Sequence, residues 1–402
     1  MCKKCSSVKT YQEPSAPENA ERSGCVSGVS APLVYNTNNS ATFKPKSSYS
    51  RRNAIARVLF ARFNHEKITP DGEVLTVPDF KVCKCQSALM HDVDLVKYSQ
   101  IDDPNKRGHR FNKVLSCGSV WTCPICSQRI SNFRAAEVNR AHELLSETHD
   151  AFMVTFTLSH KLRDPLKDTL NVVIGSFNYV NSHRSFAKNS LYNEKLYNRS
   201  TEIMFGTRNG WHPHLHVLYY FPKEHKVKTE PLKELLHKLT NDFYKKHGYD
   251  SSFMRGVTVK RSFSASEYIS KFGNESSWRS GQELALSNHK KGDHSYHPFE
   301  LPEILPDRFA EFAQATFGAR QLTCSLNFRK HVPDFLKRTD EDISEMGEPD
   351  FINKVVHTFT KRDFMWLRSN NHLDEVIDLA NSSNGDYSQL RAFLTSVVPP
   401  PE

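Results

Sequence analysis

Apolar and polar positions between residues 151 and 273 switch repeatedly between two periods, and the switches lay out most of a domain. Phe152, Val154, Phe156 and Leu158 alternate with Met153, Thr155 and Thr157, as in a strand with one buried face. Asp164-Pro165 then opens a helix whose stripe is Leu166, Leu170, Val173, Ile174 and Phe177. Residues 201–207 and 211–221 read as two strands of a hairpin joined through Arg208-Asn209-Gly210. Pro231 opens a second helix bearing Leu232, Leu235, Leu236, Leu239 and Phe243, stopped by Gly248. Val257 to Lys260 alternates again as a short strand. Ser264 and Glu267 then form a capping box opening a helix, with Ile269 and Phe272 buried and Tyr268 and Lys271 on the other face.

The resulting β-α-β-β-α-β order predicts an α+β fold, a ferredoxin/RRM-like antiparallel sheet with helices on one face and the other face bare. The 402 residues allow two or three units with real cores. Net charge is +9 and uneven: residues 339–402 carry 5 Lys+Arg against 12 Asp+Glu, a balance of −7, which leaves +16 for the rest. A basic body fits a polyanionic partner, although many proteins that never meet nucleic acid share such a balance. The acidic end reads as a separate helical appendage.

The chemistry concentrates in Trp211-His212-Pro213-His214-Leu215-His216-Val217-Leu218. Successive strand residues face opposite ways, so His212, His214 and His216 share one side while Leu215, Val217, Tyr219 and Phe221 share the other. Two imidazoles at neighbouring same-face positions make half of a divalent-metal site, and the Cys partners of a closed zinc site are missing there. A third ligand is expected for a hard ion. A two-residue turn points Glu202 away from the histidines, whereas a three-residue turn at 208–210 sets it directly opposite His216; His212 is the alternative ligand. Tyr268, in the first turn of its helix, sits where the helix dipole and the Lys271 ammonium favour phenolate character. A surface Tyr-x-x-Lys pair is the plainer reading of that segment taken alone.

Together these segments resemble the HUH endonucleases, and more closely the rolling-circle replication initiators of small bacterial plasmids. Residues 211–218 look like that family's metal motif, Ala151 to Leu158 like its preceding strand motif, and Glu267-Tyr268-Ile269-Ser270-Lys271 like its nucleophile motif, in the family's order. Phe312 to Gln321 resembles the helix-to-strand stretch that follows, and Glu202-Ile203 looks like the family pattern before the hairpin, which favours the three-residue turn. The likeness spans about Lys81 to Lys330. It implies a metal-dependent tyrosine endonuclease and strand transferase, with Mg or Mn held by His214, His216 and Glu202 or His212, and with Tyr268 and Lys271 catalytic. Lys260, Arg261 and Arg208 are the DNA-contact candidates. The implied partners are single-stranded or hairpin origin DNA and a host helicase and polymerase. Alternatives are an HUH transposase, a conjugative relaxase, or a non-enzymatic zinc-containing DNA-binding regulator. Ser264 stands where some members carry a Glu that ends the cycle, so the terminating base is unassigned. No second tyrosine lies one turn from Tyr268.

The chain has nine Cys and no stretch with the apolar length of a signal segment or membrane span, so a bacterial cytoplasm without membrane contact is expected. Cys85, Cys117, Cys123 and Cys126 are the expected ligands of a structural Zn, with Cys83 competing for the place of Cys85. A helix follows from Ser127 to Thr148, with Ile130, Phe133, Ala141, Leu144 and Leu145 on one side and Glu137 intruding. Its Arg129, Arg134 and Arg140 are read either as phosphate contacts or as a solvated face. The expected domains are a flexible arm (1–50), a Cys-rich zinc-binding and helical module (51–148), an HUH catalytic domain (149–335), and an acidic, mainly helical C-terminal region (336–402).

Overall fold

The computed structural model describes residues 48–89, 91–100, 107–262, 295–334, 337–345 and 351–400. The arm read from residues 1–50 therefore lies almost wholly outside the described residues, as does the segment carrying Ser264, Glu267, Tyr268 and Lys271. In chain order come α1 (Ser48–Arg62), β1 (Asn64–Ile68), β2 (Val74–Pro78), β3 (Val93–Gln100), β4 (Arg107–Asn112), α2 (Pro124–Leu145) and β5 (His149–Thr157). Next come α3 (Leu166–Ser182), the short α4 (Arg184–Ala187), β6 (Leu196–Gly206), β7 (Gly210–Pro222), α5 (Thr229–Lys246) and β8 (Val257–Ser262). The later strands are β9 (Ser295–Tyr296), β10 (Leu322–Cys324) and β11 (Phe351–Phe359).

The expected alternation holds. β5, β6, β7 and β8, with α3 and α5 between them, build an antiparallel sheet of spatial order β10-β6-β7-β5-β8, with β9 added beside β6. One face is covered by α3 and α5. Phe152, Val154, Phe156, Leu215, Val217, Tyr219, Val257 and Val259 pack there against Val173, Phe177, Leu232, Leu236, Leu239 and Tyr244. Val173, Phe177, Leu232, Leu236 and Leu239 belong to the stripes expected of the two helices, whereas Leu166 and Leu170 of the expected α3 stripe bury in another core and Tyr244 was not foreseen.

The opposite face is not bare along its length. Ala151, Met153, Leu196, Leu218 and Tyr220 pack against Val138, Ala141 and Leu145 of α2 and against Phe328 and Val332. The residues one or two steps further along each strand, Thr155, Thr157, His214 and Glu202, lie outside this cluster. The reason is legible in side-chain type: at the covered end the outward positions are apolar, at the other end polar.

The hairpin register also differs from expectation. Gly206 pairs with Gly210, so the turn is Thr207-Arg208-Asn209 and Glu202 stands opposite His214, not His216. Gly210 dictates this: its φ is +79°, and a Cβ there would meet the carbonyl oxygen of Leu162 at 2.7 Å. A displacement of two residues keeps every side chain on its face, so Glu202 still belongs to the histidine side.

The C-terminal region is mainly helical, as expected, but it carries one strand and is not a separate appendage. β11 pairs with β3, which pairs with β4, in a second antiparallel sheet. Val93, Leu95, Phe111 and Phe359 pack there against Phe364, Leu367, Val376 and Leu390 from the helices Lys361–Ser369, Leu373–Ser382 and Ser388–Val397. β11 lies in a segment whose acidic flanks hid a strand with Val355 and Val356 at its centre. A further core joins α1, α2 and the Pro306–Thr316 helix to the hairpin end through Ile203, Phe205 and Trp211, with Trp211 stacked on Phe312.

Candidate metal centres and nucleic-acid face

Rows of paired residues cross the sheet on the histidine side. Thr157, His214 and Glu202 form one row, and Thr258, Thr155, His216 and Ser200 the next. Each threonine holds an imidazole: Thr157 Oγ1 is 2.9 Å from His214 Nδ1, and Thr155 Oγ1 is 3.0 Å from His216 Nδ1. His216 Nε2 lies 2.7 Å from Glu202 Oε2. Anchoring Nδ1 leaves Nε2 as the nitrogen of both rings turned to the shared face, the role that outer hydrogen bonds play at metal-bound histidines. The sequence alternation set Thr155 and Thr157 opposite the apolar side of their own strand, but only the cross-strand register sets them against the rings.

His212 takes a different part. Its Nδ1 is 2.8 Å from Nε2 of His160, a residue the motif reading missed. Burial pushes His212 and His214 down to about 4. The same cause lowers His297, also missed, to about 4, with Arg51 adding to it and Glu202 opposing. His297 follows β9 and caps the Pro298–Glu300 turn by accepting from Phe299 N at 3.2 Å.

A histidine whose folded pKa lies below its unfolded value near 6.5 favours folding above that value, and the contribution is lost as pH falls towards 4. The melting temperature should therefore decline across that window. His297→Gln should flatten the decline, by on the order of 5 °C at pH 4.5; a differential scanning fluorimetry series in which the variant tracks wild type would rule out this assignment.

The donor chemistry suits a divalent ion. Two imidazole nitrogens and a carboxylate match Mn²⁺ better than Mg²⁺, which prefers oxygen throughout. The His216 to Glu202 separation approaches the roughly 3 Å expected between adjacent ligands of a six-coordinate ion. His214 sits two positions away on the same strand, its ring centroid 6.2 Å from that of His216, and the three donor atoms are not drawn within 4.8 Å of one another.

The cysteines are drawn together more tightly. Cys85, Cys117, Cys123 and Cys126 are buried with their sulfurs all within 4.8 Å of one another, the only such group of metal-type ligands among the described residues. Sγ separations are 3.6 Å for Cys85–Cys123 and Cys117–Cys126 and 3.7 Å for Cys85–Cys126. Four sulfurs around a tetrahedral zinc stand about 3.8 Å apart, whereas a disulfide needs about 2.05 Å. Hydrogen bonds from the thiols of Cys117, Cys123 and Cys85 hold Cys126 well below the ordinary thiol range. Cys83 is excluded: its sulfur turns to the Ala56 carbonyl at 3.6 Å.

Two arginines flank the cluster. Arg52 donates to the carbonyls of Val82 and Cys83 at 3.2 and 3.1 Å, and Arg368 to those of Cys83 and Cys85 at 3.0 and 3.2 Å. The Nε of each is buried with no hydrogen-bond partner among the described residues. Four neutral thiols would give two buried guanidinium ions nothing to balance. A tetrathiolate around a divalent ion carries two negative charges, so the surroundings fit the metal-loaded form.

Of the DNA-contact candidates, Lys260 is exposed on the histidine face, since it pairs with Met153. Arg261 turns to the helix-covered face, 2.5 Å from Asp150. Arg208 is at the exposed hairpin turn. On α2, Arg134 binds Glu137 at 2.6 Å and Asp340 at 2.7 Å, Arg140 binds Glu143 at 2.7 Å, and Arg129 donates to the Ser344 carbonyl. These arginines serve internal contacts, and Glu137 is buried as the partner of Arg134.

No helix among the described residues is long and apolar enough to cross a membrane. Comparison with known proteins adds four findings. A family model described as "Replication protein" matches residues 109–371. "Protein rep" of Streptomyces lividans is 28% identical over 26% of this chain and 29% of its own length. "Neomycin resistance protein" of Streptomyces cyanogenus is 26% identical over 26% of this chain and 30% of its own. The chain thus matches less than a third of either relative's length. No solved structure matches. The family match takes in the histidine strand, its threonine supports and three of the four clustered cysteines, and on that extent the chain belongs to the replication protein family.

Proposed function

We propose that this protein initiates rolling-circle replication of a plasmid by nicking and rejoining single-stranded origin DNA through a 5′-phosphotyrosine. The observation that carries the reading is the His214, His216 and Glu202 group, held by Thr157 and Thr155 on the polar part of the sheet, in a chain of a replication family. The strand order is that of a ferredoxin-like domain, which supports a catalytic unit at about 149–335. The cysteine cluster would make 51–148 a zinc-braced module, and 336–402 a third region tied to it by Arg368.

His214, His216 and Glu202 would hold Mn²⁺ or Mg²⁺, which when bound polarises the scissile phosphate. The Tyr268 oxygen attacks phosphorus in line; the Tyr O–P bond forms as the P–O3′ bond breaks. The 3′ oxygen leaves as a hydroxyl, taking up a proton equivalent to the one the phenol gives up. Lys271 steadies the phenolate. Tyr268 stands six positions beyond Ser262, the last described residue of β8. From Thr258, on the same strand, the row leads across Thr155 to His216. The 3′-hydroxyl would serve a host polymerase behind a host helicase in the cytoplasm. The phosphotyrosine keeps the bond energy for rejoining without ATP.

The deciding experiment incubates the protein with a single-stranded oligonucleotide of its origin and Mn²⁺, and resolves covalent adduct by denaturing electrophoresis and mass spectrometry. Adduct on Tyr268 is expected; binding without adduct would favour a regulator instead. The threonines offer a finer check. Thr155→Val should weaken Mn²⁺ binding by calorimetry about tenfold, the usual scale for a lost outer hydrogen bond, and Thr155→Ser should restore it. Equal affinity in all three proteins would deny Thr155 a positioning role.

A further inference from the structure

β10, the border strand beside β6 in the histidine sheet, pairs Leu322 with Ser200 and Cys324 with Asn198. The ladder runs one residue further than the strand itself, because Thr201 N donates to the Gln321 carbonyl at 2.9 Å. Continued by one more residue, that register brings Arg320 level with Glu202, the carboxylate of the proposed metal group. Opposed residues of an antiparallel pair stand about 5 Å apart at Cα.

The face follows from parity. Leu322 packs against the Met153, Leu218 and Tyr220 cluster on the histidine side, and Arg320 comes two positions before it. Arg320 therefore belongs to the face that carries His214 and His216. The backbone beside it is pinned, since Trp121 Nε1 donates to the Ala319 carbonyl at 2.8 Å. The Arg320 side chain is exposed and makes no hydrogen bond or ion pair among the described residues. A guanidinium level with a metal carboxylate, and bound to nothing in its own chain, is available to a phosphate, which it can hold through two N–H groups.

We infer that Arg320 binds a backbone phosphate of the DNA on the leaving side of the scissile position, in the part that ends in the 3′-hydroxyl; the inference rests on the nicking function proposed above. Strand order supplies the direction. β8, from which the chain runs on to Tyr268, is the border strand opposite β10, and its Lys260 is exposed on the same histidine face. In-line attack sets the entering and leaving oxygens on opposite sides of phosphorus. With the nucleophile supplied from the β8 border to a phosphate at His216 and Glu202, the leaving oxygen points towards β6 and Arg320. Four inter-strand spacings of about 4.8 Å separate the two borders, about 19 Å in all, or roughly six stacked nucleotides. One single strand can thus meet Lys260, the imidazoles and Arg320 in that order. Both cations read charge and not base identity, so the pair fixes the polarity of the strand without choosing its sequence.

The test measures binding of a fluorescent single-stranded origin oligonucleotide by anisotropy, with no Mn²⁺ added so that the strand stays whole. Arg320→Ala should weaken binding about fivefold and lower the slope of log affinity against log salt by about 0.7, the value of one phosphate contact on a single strand. Lys260→Ala should do the same, and Lys238→Ala, which removes an exposed lysine of α5, should do neither. Oligonucleotides shortened from each end then read the polarity. Removing the 5′ part should cancel the Arg320→Ala deficit, and removing the 3′ part the Lys260→Ala deficit. Full-length binding by Arg320→Ala equal to wild type, a loss matched by Lys238→Ala, or a deficit cancelled from the 3′ end instead overturns the inference. Adduct formation by wild type with Mn²⁺ is scored separately: its absence removes the nicking reading, while the truncation series still decides which end of the strand Arg320 holds.

Discussion

Tyr268→Phe should abolish the covalent protein–DNA adduct and the nick, while oligonucleotide binding persists because only one hydroxyl is lost. The expected fall is about 10⁴-fold or more, the scale on which removing a nucleophile acts. His214→Ala and His216→Ala should also cut nicking, by about 10³-fold, since an ion polarising the phosphate contributes several kcal/mol and each 1.36 kcal/mol is a factor of ten. The two classes part under added metal. A histidine variant has lost affinity for the ion, so raising Mn²⁺ recovers some activity. Tyr268→Phe has lost the attacking atom, and no metal concentration restores it. Gel-resolved nicking across a Mn²⁺ series separates these cases. Nicking by Tyr268→Phe at the wild-type rate would overturn the proposed mechanism.

The second large effect concerns the cysteines. Cys123 is fully buried, caps α2 and stands 3.6 Å from Cys85. Cys123→Ser should reduce bound zinc, measured by plasma mass spectrometry, and lower the melting temperature by more than about 10 °C. Structural zinc contributes on the order of 10 kcal/mol to small modules, and even part of that is many degrees in a chain of this size. The loss should spread beyond the module, because Arg368 joins the Cys83–Cys85 loop to the Lys361–Ser369 helix and the second sheet. Cys83→Ser is the matched control, since its sulfur turns away from the cluster to the Ala56 carbonyl. Metal-free wild-type protein that melts at the same temperature as Cys123→Ser and as zinc-loaded wild type would dismiss the metal.

Side-chain periodicity alone was enough to identify β5, β7, α3 and α5 and to put His214 and His216 on one face. Strand and helix periods are local, and Phe152, Val154 and Phe156 or Leu166, Leu170 and Val173 state them within a few residues. The Cys-x-x-Cys knuckle was legible for the same reason: two ligands one turn apart need no distant chain to be recognised. Choosing Cys85 over Cys83 was a different matter, because Cys83 lies in the tight turn Lys81–Lys84 and Cys85 just after it, and only the packed loop decides which sulfur turns inward.

What the chain order could determine by itself was therefore its elements, their faces and the residue types that carry chemistry. Tertiary structure alone decided the pairing of Glu202 with His214, the threonine beneath each imidazole, the approach of His160 and His297, and the union of β11 with β3. Those relations join residues from twelve to more than two hundred positions apart, and their geometry depends on register and on close packing, which no local period encodes.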